Sequence, residues 1–311
     1  MVSLSQPKLP VIHMADLNPG TESWISTSQK VTQALEKYGC FVAVYERVSQ
    51  QLKKEVLDSL RTPFDLPTDT KINNTSDKPF HGYMRPVPTR PLYQSLGIEH
   101  ATSLDDVQRF TNLMWPSGNH HFSNTMHSYA TLVTELENAV RQMVFQSYGV
   151  EKYYESFNES MNYLFKVMKY SAPKPDQTNL GVAVHTDKSF ITVLGQINEV
   201  NGLEVEIEDG KWITFEFLPL SFVVLATDPL MAWSNGRVKS PRHRVIMNGQ
   251  EDRYSIVLFS YKKGIIQTPE EIVDQEHPLR FKPFDHYKFL DFVSKDENYL
   301  DEKAIKLFCG V

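Results

Sequence analysis

Apolar residues in the first half of the chain recur every three or four positions, the period of an amphipathic helix. Over 27–38 (TSQKVTQALEKY) the spacing of Val31, Leu35 and Tyr38 predicts a helix that Gly39 would stop. A short β-rich run, CFVAV, follows at 40–44. Leu52, Val56 and Leu60 predict a second helix over 49–61. The longest helical pattern covers 124–148, where Met126, Tyr129, Val133, Leu136, Val140 and Met143 form one stripe. Ser123 or Asn124 could cap its start, and Gly149 its end.

From about residue 161 the period changes. Short β-branched and aromatic runs alternate with turn signals: YLFKVMKY, VAVHTD, FITVLGQ, LEVEIEDGKWITFEF, SFVVLATD, HRVIM and YSIVLFSY. In the fourth run Leu203, Val205 and Ile207 alternate with acidic residues, and Asp209-Gly210 marks a tight hairpin. So many short strands in about 100 residues predict antiparallel sheets of the double-sheet jelly-roll kind. The expected fold is α+β. A double-stranded β-helix at 161–265 follows a mainly helical 1–160, and 266–311 adds helical pieces (HYKFLDFV) near the barrel mouth. No repeat or linker interrupts the chain, so 1–311 is expected to pack as one unit.

Composition narrows the function classes. The 311 residues are 41% apolar and 23% charged, ordinary for a chain that buries a core. With a net charge of −6 and no basic block beyond two neighbours, a nucleic-acid partner is not expected. Two cysteines, Cys40 and Cys309, cannot build a disulfide framework or a cysteine zinc site, and reduced thiols are expected. The N-terminal MVSLSQPKLPVIHM lacks a leader-like apolar run, and nothing approaches the roughly 20 apolar residues of a membrane helix. A cytoplasmic protein without a membrane partner is the expectation; the oligomeric state is not legible.

His185 and Asp187 lie two apart in a strand-like segment, which would put both side chains on one face. Alone the pair has little specificity, since ten histidines produce such spacings by chance. His243, in SPRHRV, adds a second imidazole on a predicted strand. Two histidines and a carboxylate on a β scaffold are the facial ligand set of non-haem iron(II), with positions left open for other ligands. A zinc hydrolase could use the same types, but no H-E-x-x-H motif accompanies them. Arg253 and Ser255, on one face of another strand, offer a guanidinium and a hydroxyl to one carboxylate. An arginine in so apolar a run calls for an anionic partner: an internal salt bridge or, beside an iron site, a small dicarboxylate. His120-His121, after PSGN, are expected in a solvated loop, and Lys188 as a solvated neighbour of the metal carboxylate or a substrate contact.

The order HTD, SNGR, HRV and RxS resembles the plant 2-oxoglutarate/iron(II) dioxygenase superfamily. GYMRPVPTRPLYQSLGIEHA, LMWPSGN, MKYSAP, HTDKSFITVL and SPRHRVIMNG are similar to its AOP-type branch. The resemblance spans nearly the whole chain, including ALEKYGCFVAVYERV and PFDLPTDTK. It implies iron held by His185, Asp187 and His243, and the distal carboxylate of 2-oxoglutarate on Arg253 and Ser255, with a hydroxyl from Tyr170. It also implies Phe259, with Phe190 near it, at the substrate side. O2 is the co-reactant and ascorbate a supporting reductant. Many members carry asparagine where this chain has Met168, so a hydrogen bond from that asparagine is absent. Members acting on glucosinolates carry an acidic insertion after MKY, where this chain has only APKPDQTN, which favours another specialised metabolite. Oxidative ring closure of a lignan is the specific expectation, with alkaloid, steroid and auxin-type substrates as alternatives. An iron oxidase that does not consume 2-oxoglutarate and a non-catalytic binding jelly roll are the rival readings.

Overall fold

The computed structural model describes residues 8–15, 17–216, 218–295 and 303–311. The first seven residues of the segment read for a leader lie outside them, as does Phe217 at the end of ITFEF.

The helical patterns become α1 (Glu22–Tyr38), α2 (Gln50–Asp65), α3 (Thr68–Lys71), α4 (Leu104–Met114), α5 (His120–Ser147) and α6 (Tyr154–Glu159). Helices α1 and α5 start earlier than their apolar stripes because the caps stand outside those stripes. Thr21 accepts from the Trp24 N–H at 3.1 Å, and Asn119 from the Phe122 N–H at 3.0 Å. His120 and His121 therefore form the first turn of α5 instead of a loop, although both are exposed as expected. Gly39 ends α1 in the left-handed conformation, φ 73°, its N–H donating to the Leu35 carbonyl. Helix α2 outruns its expected end through Pro63, which has no N–H for the Ser59 carbonyl. The Thr62 hydroxyl donates to that carbonyl instead, at 2.9 Å.

Strands β1 (Val11–His13), β2 (Cys40–Val44) and β3 (Tyr93–Glu99) come from the part expected to be mainly helical. The later runs give β4 (Met161–Tyr170), β5 (Leu180–His185), β6 (Ile191–Gln196), β7 (Leu203–Glu208), β8 (Lys211–Thr214), β9 (Ser221–Ala226), β10 (His243–Ile246) and β11 (Arg253–Lys262). They form a seven-stranded sheet, β1-β2-β9-β6-β11-β4-β3, and a four-stranded one, β5-β10-β7-β8. All pairs are antiparallel except β1 with β2. This is the double-stranded β-helix.

The larger sheet is buried on both faces, which is why its strands read as continuous apolar runs. Phe165 and Val167 of β4, Phe222 and Val224 of β9 join the core formed with Val31, Leu35, Val133 and Leu136 of the helices. Their neighbours Met168 and Tyr170, Val223 and Leu225 face the other way, into the space between the sheets. Helix α7 (Asp228–Trp233) follows β9, and α8 (His286–Val293) comes from the C-terminal segment. Cys40 and Cys309 are free and buried, and burial pushes both thiols up to about 12. Among the described residues no helix is long and apolar enough to cross a membrane.

Candidate metal and cosubstrate site

His185 is the last residue of β5 and His243 the first of β10, and the two are register partners across that antiparallel pair. Their ring centroids lie 4.2 Å apart. Each Nδ1 faces a carbonyl, Ala183 O at 2.9 Å and Pro241 O at 3.2 Å. A carbonyl can only accept, so Nδ1 carries the proton and each Nε2 lone pair is left for a metal. Burial, then the neighbouring His243, push the His185 pKa far down, so its imidazole is neutral near pH 7.

Asp187 does not continue the strand, as the H-x-D spacing had suggested. Strand β5 stops at His185, and Asp187 reaches the histidines from the turn beyond. Its Oδ1 lies 3.6 Å from both Nε2 atoms. Its Oδ2 accepts from the Thr192 hydroxyl at 2.7 Å, and Thr192 also bonds Ser189 at 2.9 Å. Thr192 therefore divides the carboxylate into one anchored oxygen and one facing the histidines. The turn is held by Lys188, which is buried and not solvated: its Nζ pairs with Asp228 at 2.7 Å and bonds the Thr186 hydroxyl and carbonyl. The Asp228 N–H in turn donates to the Asp187 carbonyl at 3.1 Å. Among the described residues, His185, Asp187 and His243 form the only group of three or more such ligands close enough to share an ion.

Strand alternation places Arg253 and Ser255 together on β11, the guanidinium donating to Ser255 Oγ at 3.3 Å. Both are fully buried. Tyr170 is the register partner of Arg253 on β4, its ring 5.0 Å from the guanidinium carbon. Nε and Nη2 of Arg253 are buried with no partner among the described residues. Left so, they are costly, by about 1–3 kcal/mol or more per group. The site thus asks for an anion, and 2-oxoglutarate, with its distal carboxylate, fits that donor fork. The histidine and carboxylate donors likewise fit Fe(II). Met168 is buried in the same strand row, its sulfur 3.7 Å from the Tyr170 hydroxyl, and offers no amide to a cosubstrate.

A cavity between the sheets joins the triad to Tyr170, Met168 and Phe259, and Leu290 of α8 closes it from the C-terminal segment. Phe259 therefore lines the cavity that holds the triad. Phe190 does not. Its ring is fully buried against Phe157 at 4.8 Å and Trp233 at 6.1 Å, in the core behind the sheet. The resemblance that put Phe190 near Phe259 did not show that residue 190 sits in the bend before β6, where its N–H donates to the Ser260 carbonyl at 2.6 Å. Sequence reading also passed over Thr192 and Lys166, both polar residues set in apolar strand runs, which is the signal that could have found them.

Residues 161–262 match the 2OG-Fe(II) oxygenase superfamily, and residues 9–116 match the N-terminal family of non-haem dioxygenases in morphine synthesis. A probable 2-oxoglutarate-dependent dioxygenase of Arabidopsis thaliana, AOP1.2, is 42% identical over 97% of this chain and 96% of its own length. The crystal structure of a rice dioxygenase for auxin oxidation has a TM-score of 0.82 and 29% identity, covering 98% of this chain and all of its own. The Arabidopsis thaliana dioxygenase for auxin oxidation 1, in complex with 2-oxoglutarate, has a TM-score of 0.78 and 29% identity over 87% of this chain and all of its own. With both halves matched and a relative similar from end to end, the chain belongs to the 2-oxoglutarate/iron(II)-dependent dioxygenases, in the plant AOP-type branch.

Proposed function

We propose that this dioxygenase holds Fe(II) through His185, Asp187 and His243 and seats the distal carboxylate of 2-oxoglutarate on Arg253 and Ser255, with Tyr170 beside it. It oxidises a C–H bond of a small, largely apolar natural product of plant specialised metabolism. Arg253 carries this reading: a guanidinium with no exposure and two unpaired nitrogens is hard to explain without an anionic occupant. With iron bound, oxidative decarboxylation of 2-oxoglutarate to succinate and CO2 supplies the oxidant for C–H cleavage.

The protein's own work is binding, orientation and exclusion of water. The neutral imidazoles and one free carboxylate oxygen leave the remaining coordination positions open. Arg253 fixes one end of the cosubstrate with a directional fork, not a point charge. Phe80, Leu164, Phe259, Tyr261 and Leu290 give the cavity apolar walls suited to an aromatic or alicyclic body. Kinship with the auxin-oxidising enzymes supports an aryl compound of modest size, and lignan ring closure stands as a second reading within the same chemistry. Turnover of a metabolite panel with Fe(II), 2-oxoglutarate, O2 and ascorbate, read by mass spectrometry for product and succinate together, tests it. Product without succinate would favour the oxidase reading, and neither would favour a binding module.

A further inference from the structure

Asp228 begins α7 and has no exposure. Its carboxylate reaches two sides of the proposed iron site. Oδ2 accepts from the Lys188 ammonium at 2.7 Å and from the Thr186 hydroxyl at 3.0 Å, and these two residues flank Asp187. Oδ1 accepts from the Ser240 hydroxyl at 2.6 Å. Ser240 precedes Pro241, whose carbonyl accepts from Nδ1 of His243 at 3.2 Å. Asp228 is itself held in place: its N–H donates to the Asp187 carbonyl at 3.1 Å, and the hydroxyl of Thr227 donates to the Phe190 carbonyl at 2.8 Å. From the far side, the Lys239 N–H donates to the Leu35 carbonyl at 3.2 Å, and a Cβ on Gly39 would collide with Pro241. The 239–241 segment thus lies between the end of α1 and Asp228. Apolar packing could brace a fold here without taking two charges out of water. A carboxylate with both oxygens committed adds direction, since each bond prefers one angle as well as one distance.

We infer that Asp228 is a positioning residue for the metal site. Through Oδ2 it sets Asp187 by way of Thr186 and Lys188, and through Oδ1 it sets His243 by way of the Ser240–Pro241 segment. One side chain thereby fixes the separation of two ligands that the chain brings from different places. This rests on the reading that His185, Asp187 and His243 hold the iron. Loosening either arm then lowers metal affinity without removing a ligand. The Ser240 arm works only while the carboxylate is present, so its loss matters in the native chain and not in one that already lacks Asp228.

The test is anaerobic competition for Fe(II) and for Co(II) between the metal-free protein and a chelator, with urea unfolding of the metal-free protein measured beside it. Ser240→Ala should weaken both metals about fivefold or more, a step below the loss of about 10–100-fold that follows removal of a direct partner of a ligand. Ser240→Thr, which keeps the hydroxyl, should stay within about twofold of wild type. Asp228→Ala combined with Lys188→Met removes both charges together, so that no ion is left buried alone. That pair should weaken metal binding about tenfold or more in folded protein and alter the visible absorption of bound Co(II), which follows ligand geometry. Adding Ser240→Ala to it should cost less than about twofold more. A merely structural role would lower the urea midpoint and leave metal affinity and the Co(II) spectrum of the folded protein unchanged, and that result overturns the inference. So do losses that multiply in the triple variant. Should the pair lacking both charges not fold, the two serine variants decide, and equal metal affinity in Ser240→Ala and Ser240→Thr overturns it. Wild-type protein that binds neither metal, or binds them as well after His243→Ala, overturns the parent reading, and the inference with it.

Discussion

Arg253 has the sharpest consequence of any single residue, because its charge is already desolvated before a ligand arrives. Arg253→Ala should weaken 2-oxoglutarate binding by about 3–5 kcal/mol, as removal of one partner of a buried ionic contact does. Arg253→Lys should restore only part of this, since an ammonium lacks the planar fork. Titration of 2-oxoglutarate against succinate release measures both, and an unchanged saturation curve in Arg253→Ala would sink the assignment. Thr192 acts one step further out, through Asp187 Oδ2. Thr192→Val removes the hydroxyl at nearly constant volume and should weaken iron binding by about 10–100-fold, the usual consequence of losing a partner of a metal ligand. Thr192→Ser should restore it, which a purely packing role would not predict; competition with a chelator reads the difference. The two phenylalanines should now behave oppositely. Phe259→Ala should loosen substrate and release succinate without matching product. Phe190→Ala should destabilise the fold by about 3–5 kcal/mol, measured by urea unfolding, with iron and 2-oxoglutarate binding kept in the folded fraction. The proposed metal and cosubstrate residues stood out in the sequence because each breaks its local pattern: charged or coordinating groups in β-rich runs. Phe190 was not, since an aromatic residue in a strand-like run looks the same whichever face of the sheet it occupies.

At the level of elements, strands β4, β6, β9 and β11 could be read from the sequence because burial on both faces makes them continuous apolar runs, and β7 because its apolar residues alternate with acidic ones. Strand β3 could not, since Gln94, Ser95, Gly97 and Glu99 dilute its apolar pattern. Its place is set by partners, not propensity. It pairs with β4 from Tyr93↔Tyr170 to Glu99↔Leu164, while the Asn74 side chain accepts from the Gly97 N–H and donates to its carbonyl, both at 2.9 Å. An edge strand would otherwise leave such groups open. The same residues bring the 79–84 segment down onto β3 and carry Phe80 and Met84 to the cavity wall. Gly97→Ala should therefore act at a distance. The added methyl would lift the segment off the sheet, costing about 1–3 kcal/mol by overpacking. Iron and 2-oxoglutarate binding should survive, because His185 and His243 stand on β5 and β10, Asp187 in the turn after β5 and Arg253 on β11, with substrate affinity falling instead. Loss of iron binding in a folded Gly97→Ala protein would show that the two walls are not separable in this way. The helix limits were misjudged for a related reason: Thr21 and Asn119 act through single hydrogen bonds that leave no periodic trace.

For the whole molecule, the larger sheet makes the mainly helical part and the jelly roll interdependent. Strand β2 lies against β9 over Cys40↔Leu225 to Val44↔Ser221, and β3 against β4, so N-terminal strands flank the β9-β6-β11-β4 block on both sides. The core cluster joins Val31, Leu35, Val133 and Leu136 of the helices to Phe165, Val193 and Ile256 of the sheet. A fragment beginning at residue 161 would expose that face and both edges together, an area far larger than a stable domain leaves open. We expect residues 161–311 alone to show no cooperative unfolding transition, whereas the full chain melts as one unit. The ligands should report on the same unit. Fe(II) and 2-oxoglutarate contact β5, β10 and β11 in the proposed site, yet whatever binds only the folded state stabilises everything that unfolds with it. At about 100 times the dissociation constant this amounts to roughly 2.7 kcal/mol per ligand. For a chain of this size that corresponds to a rise in Tm on the order of several degrees. The measurement is far-ultraviolet dichroism, dominated by the helices, beside fluorescence of Trp233 in a variant with Trp24, Trp115 and Trp212 replaced by Phe. Both curves should coincide and move together on adding the ligands. A helical transition that stays in place while the Trp233 signal shifts upward would mean that the two halves unfold separately, and that the shared sheet does not couple them.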